Sequence, residues 1–132
     1  HLLSRGVSVD STDNAGYTAL HYASRGGNIE ICELLIRSGA NLNAVTKAGL
    51  TTPLHRAAMA GHGKVVDLLL KSGAQCLQDK DGRTPLHRAV EGKHTSAAKI
   101  LVQRCPSLLE ISDKLGKIPS DYDCVLRNLL QT

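Results

Sequence analysis

The chain has no phenylalanine and no tryptophan, and its aromatic rings are Tyr17, Tyr22 and Tyr122. A core without large rings must be built from Leu, Ile, Val and Ala, which suits slender helices packed closely. No apolar run approaches the roughly 18 residues needed to cross a bilayer, and the opening HLLSRG lacks the apolar region of a secretory signal. The expectation is a soluble chain of the cytoplasm or nucleus with no membrane contact. Cys32, Cys76, Cys105 and Cys124 form no C-x-x-C pair, so the spacing of a zinc site or of a secreted disulfide framework is missing and free thiols are expected. The charge is only mildly basic, +4 with a pI near 9.0, without the dense Lys/Arg runs of a nucleic-acid arm. A Walker loop, a G-x-S-x-G elbow and a rigid paired-carboxylate motif are all missing, so neither an enzyme nor a cofactor is expected.

What the chain does contain is repetition. TPLHRA stands at residues 52–57 and again at 84–89, with TALHYA at 18–23. Gly16, Gly49 and Gly82 recur at intervals of 33 residues. After each hexapeptide come a turn and an aliphatic stretch, closed by Gly-Ala at residues 39–40 and 73–74 and without it in the third copy. Thr52 and Thr84 fit the N-cap of a helix, with Pro53 and Pro85 at its first position, where a missing N–H costs nothing. Leu54 and Ala57, like Leu86 and Ala89, lie on one face of that helix. Ile31, Leu34 and Leu35 recur at helical spacing in a second helix, as do Val65, Leu68 and Leu69, then Ala97, Ile100 and Leu101. Each unit therefore reads as an antiparallel helix pair followed by a projecting turn, repeated in series at 132 residues in all.

The stretch DNAGYTALHYAS followed by ICELLIRSGA resembles the ankyrin-repeat pattern D-x-x-G-x-T-P-L-H-x-A-A…L-L-x-x-G-A. The resemblance implies an all-α ankyrin-repeat solenoid of stacked helix-turn-helix units with projecting hairpin loops. It divides the chain into a partial repeat over residues 1–12, repeats over 13–45, 46–78 and 79–112, and a shortened cap over 113–132, with VLRNLL as the cap's second helix. The order ALHYAS, LHRA, PLHRA and the CPSLLEISDK tail is similar to the group of ankyrin repeat domain-containing protein 39. Departures matter as well. Gly39 to His55 spans 16 residues and Gly73 to His87 spans 14, so the second hairpin carries an extra residue near GLTTP. Lys93 stands where the pattern has Gly, Asp121 where it has His, and Ala97 and Ala98 where it has larger residues. The third repeat should therefore pack less tightly unless Leu126, Leu129 and Leu130 fill the space.

His21, His55 and His87 raise the question of a metal or general base, but one histidine per repeat spaces the rings too far apart to share an ion. By resemblance they are structural, with Thr18, Thr52 and Thr84, and His62 and His94 read the same way. The family's architecture implies a groove made by hairpin tips and first helices. Mapped here it holds Asn14, Ala15, Tyr17, Tyr22 and Arg25, then Lys47, Ala48, Leu50, Arg56 and Met59, then Lys80, Asp81, Arg83, Arg88 and Glu91. Six basic residues face two acidic ones, with Tyr17, Tyr22, Leu50 and Met59 as apolar contacts. The expectation is an adaptor, monomeric, that holds an acidic or mixed acidic and aromatic segment of a protein partner. Nucleic-acid binding is disfavoured, since three tyrosines offer little base stacking. Asn43 matches the position at which asparagines of the family are hydroxylated, making the chain a candidate substrate of an asparagine hydroxylase.

Overall fold

Thr18, Thr52 and Thr84 each start a helix by the same local chemistry. In the computed structural model, which describes residues 9–122, each threonine hydroxyl accepts the backbone N–H three residues on. The histidine at that position answers by accepting the threonine N–H on Nδ1, at 3.0, 3.2 and 3.1 Å. Two otherwise orphaned donors are satisfied at each helix start, worth about 1 kcal/mol per cap.

Six α-helices follow: α1 (Ala19–Gly26), α2 (Ile29–Arg37), α3 (Pro53–Ala60), α4 (Gly63–Lys71), α5 (Pro85–Glu91) and α6 (Thr95–Arg104). Short 3₁₀ turns cover Pro106–Glu110 and Pro119–Asp121, and no strand occurs among the described residues. The helices pair as hairpins, and the hairpins stack in two layers: α1, α3 and α5 in one, α2, α4 and α6 in the other. The all-α solenoid expected from the repeat is what forms. Its core is one continuous cluster in which Leu54, Leu69, Leu86 and Leu101 are fully buried. Truncating any of these to Ala removes about 2–5 kcal/mol. Ala57, Ala58, Ala89, Ala97 and Ala98 are fully buried too, and their small size lets neighbouring helices approach.

Ile31 departs from the expected apolar stripe. Its counterparts Val65 and Ala97 are buried, while Ile31 is 46% exposed. Among the described residues no helix pair precedes α2 to cover it. The cap helix expected from VLRNLL, with Cys124, Leu126, Leu129 and Leu130, lies outside the described residues, as does most of the opening partial repeat.

Glycine is required where α1 and α3 end. Gly27 and Gly61 are left-handed, with φ of 72° and 79°. A Cβ on either would meet the imidazole of the next unit, His62 Nδ1 at 2.7 Å and His94 Nδ1 at 2.4 Å. Those imidazoles are fixed in turn, their Nε2 atoms lying 3.0 Å from the Arg25 carbonyl and 2.9 Å from that of Met59. At the end of α5 the left-handed position falls on Lys93, φ 60°. The chain has no histidine beyond His94 to require a bare backbone there.

The hairpins before α1 and α5 share one turn. Asp13 and Asp79 accept two N–H groups each on one carboxylate oxygen, and Gly16 and Gly82 take positive φ. Asp113 and Gly116 repeat this arrangement before the second 3₁₀ turn. The second hairpin differs because of its extra residue. Thr46 replaces the aspartate, its Oγ1 accepting from Thr51 N at 3.2 Å, and the left-handed residue becomes Leu50, φ 54°, rather than Gly49. One backbone bond ties each hairpin to the one before it: Lys47 N to Ala15 O, Lys80 N to Gly49 O, Lys114 N to Asp81 O.

Candidate functional site

The exposed sides of α1, α3 and α5 meet the hairpin tips, because residues on those helices bond to residues in the turns. The Tyr22 hydroxyl donates to the Asp13 carboxylate, and Arg88 reaches Asp79 and Asp81 at 2.6 and 3.1 Å. A continuous hairpin face results.

His21, His55 and His87 sit beneath this face, fully buried. With Nδ1 accepting from threonine, Nε2 must carry the proton, and it donates to the carbonyl of Thr51, Arg83 and Lys117 respectively, each at 2.9 Å. Each ring therefore links the helix start of one unit to the hairpin of the next. Burial pulls the pKa of His21 and of His55 below the ordinary value; the carbonyl partners and nearby Asp13 or Asp79 oppose this without reversing it. Among the described residues no three His, Cys, Asp or Glu side chains gather closely enough to hold a metal ion.

At the first unit Tyr17 and Tyr22 lie with ring centroids 5.2 Å apart, and Arg25 covers Tyr22 at 5.2 Å. Arg56 lies over Tyr17 at 4.8 Å and donates to its hydroxyl. Leu50 and Met59 are 44% and 38% exposed. Lys47, Lys80, Asn14, Ala15, Ala48 and Asp81 are exposed on the hairpin tips. A depression of about 250 Å³ lies among Met59, Arg88, Glu91 and Gly92. The other layer carries one of about 200 Å³ among Glu33, Ile36, Arg37, Leu68 and Ser72.

Two arginines in the expected groove are not open cations. Arg83 binds Glu91 at 2.8 Å, Asp113 at 3.4 Å and the Tyr122 hydroxyl at 3.1 Å. Arg88 binds Asp79, Asp81 and Glu91, with 17% of its side chain exposed. Burial opposes the charged form of Arg88, but these carboxylates outweigh it and push its pKa up. Asp113, whose side chain is completely buried, is pulled well below the usual carboxylate range; burial opposes this, and Tyr122, the Lys117 and Leu115 N–H groups and Arg83 overcome it. The face is therefore less basic than six cations against two anions implied. The carboxylates that neutralise it, Asp79 and Asp113, occupy the same recurring hairpin position as Asp13, and that recurrence was the available signal.

An ankyrin-repeat model in three copies matches residues 46–114, more than half of the chain, and a single-repeat ankyrin model matches residues 15–47. The chain belongs to the ankyrin-repeat family. It is similar to human ankyrin repeat domain-containing protein 39, 48% identical over 46 residues, 35% of this chain and 25% of that protein. It is similar also to alpha-latrotoxin-Lg1a of Latrodectus geometricus, 43% identical over 91 residues, 67% of this chain and 7% of the toxin. Rabankyrin-5 of Mus musculus is 33% identical over 128 residues, 87% of this chain and 11% of its own length. The chain spans a quarter or less of these relatives.

On this ankyrin scaffold Asn43 is half-buried and its Oδ1 accepts the Gln75 N–H at 2.9 Å, bridging two repeats. No helix among the described residues is long and apolar enough to cross a membrane. On the other layer Asp67 joins Arg104 at 2.6 Å and Lys71 at 3.3 Å.

Proposed function

We propose that this ankyrin-repeat chain is a non-enzymatic binding module that holds a segment of a partner protein along its hairpin face. The observation that carries the reading is the exposure of Tyr22, Leu50 and Met59 on the hairpin face that also holds half-buried Arg56, where Arg83 and Arg88 are taken up by internal ion pairs. Aromatic, Met and Arg side chains on a rigid support are the types enriched at protein interfaces. The pairing of Arg83 and Arg88 with carboxylates favours a mixed acidic and apolar protein segment over a nucleic acid, which needs a denser uncompensated basic stripe.

The test is binding to any partner retained by the purified chain, compared between Tyr22→Ala/Met59→Ala on the hairpin face and Glu33→Ala/Arg37→Ala on the other layer. The first pair should reduce affinity by roughly tenfold or more and the second should leave it unchanged. The opposite pattern would refute the reading. Arg88→Glu is a poor probe, since it would leave Asp79, Asp81 and Glu91 facing a fourth carboxylate and lower stability before affinity could be judged.

A further inference from the structure

Four residues occupy one structural position in successive units, immediately after the motif histidine or its replacement: Tyr22, Arg56, Arg88 and Tyr122. Three of them reach the aspartate of their own hairpin, Tyr22 to Asp13, Arg88 to Asp79 and Tyr122 to Asp113. The second hairpin has Thr46 in place of that aspartate, and the described residues contain no ion pair made by Arg56. Arg56 stacks on Tyr17 and donates to its hydroxyl, while its buried Nε has no hydrogen-bond partner. Burial and the charge of Arg88 push its pKa down, as fits a guanidinium with no carboxylate paired to it among the described residues.

We propose that Arg56 is the docking point for a carboxylate of a partner protein, an Asp or Glu side chain that supplies from outside the counter-charge Arg88 takes from Asp79 in its own hairpin. Exposed Leu50 and Met59 of the same unit would receive the apolar residues flanking that acid. A single carboxylate fits better than a phosphate. Arg88, whose charge bears on Arg56, is engaged by Asp79, Asp81 and Glu91, so a doubly charged group reaching toward it would meet carboxylates rather than a second open cation. This rests on the hairpin face being the binding surface.

The experiment selects binders to the whole chain from a randomised linear-peptide library and measures the recovered peptides by calorimetry. Peptides that bind the hairpin face should share an Asp or Glu. Changing that acid to its amide, or changing Arg56→Gln, should each weaken binding by roughly tenfold, and both together should cost no more than either alone. Thr46→Asp supplies an internal counter-charge while leaving Arg56 in place, and it should weaken the same peptides; folding of both variants is checked by thermal melts. Hydrogen-exchange footprints separate the two levels. Protection confined to α2, α4 and α6 would overturn the hairpin face itself. Protection of the hairpin face with additive effects in the cycle, with no shared acid, or with full binding by Thr46→Asp would overturn the role of Arg56 alone. A selection yielding no peptide sensitive to Arg56 would overturn it too.

Discussion

Replacing Gly61 by alanine tests whether the stack depends on bare backbone beneath each outer-layer histidine. Gly61 has φ 79°, a conformation that costs an L-residue about 1–2 kcal/mol. The new Cβ would lie 2.4 Å from His94 Nδ1, and the ring cannot swing clear without losing its 2.9 Å bond to the Met59 carbonyl, worth about 1 kcal/mol. Gly39 supplies the control, because its φ is 89° and a Cβ there meets nothing within 4 Å. Both substitutions gain about 0.4–1 kcal/mol by restricting the unfolded chain. Gly61→Ala should therefore lose about 1–2 kcal/mol more than Gly39→Ala, read from urea-unfolding midpoints at constant m-value. In the His94→Ala background the obstruction is gone, and Gly61→Ala should then cost only what Gly39→Ala costs. Equal losses for the two glycines in the parent chain would refute the argument.

Four further outcomes are expected. His21 and His55 have pKa values held below their usual 6.5 by burial, so the unfolded chain takes up protons first; stability should be complete above about pH 6.5 and decline as pH falls below it. A urea midpoint unchanged between neutral pH and about pH 5 would refute this. Lys93→Gly should relieve the left-handed strain at φ 60° and raise stability by somewhat under 1 kcal/mol, measurable as a higher melting temperature. The thiols of Cys76 and Cys105 lie 3.6 Å apart, so diamide should join them as a disulfide, with intact mass falling by the two thiol hydrogens. Burial and Cys105 raise the Cys76 thiol to about 12, and Cys76→Ser or Cys105→Ser should each abolish the product. Leu50→Ala should leave the fold intact and weaken any hairpin-face partner by roughly threefold to thirtyfold, as checked by calorimetry.

Helix starts and stops were legible in the sequence because they depend on neighbours within a few residues. Thr52, Pro53 and His55 specify a cap through bonds made inside one turn of chain. The intervals between glycine and histidine also revealed the extra residue of the second hairpin. They did not reveal that Leu50 rather than Gly49 would take the left-handed conformation, since that depends on Thr46 closing the turn onto Thr51.

The charge of the hairpin face belonged to tertiary structure. A count along the chain gave six cations, whereas packing set Arg83 against Asp113 from 30 positions away and set Arg88 against the buried carboxylate of Asp79. Local backbone preference acts over a turn and is written in adjacent letters, so the sequence alone determined an all-α stack of ankyrin repeats. Which ionised groups cancel depends on distances of a few ångströms between units, and only the folded stack could set Arg83 and Arg88 against carboxylates while laying Arg56 against the ring of Tyr17.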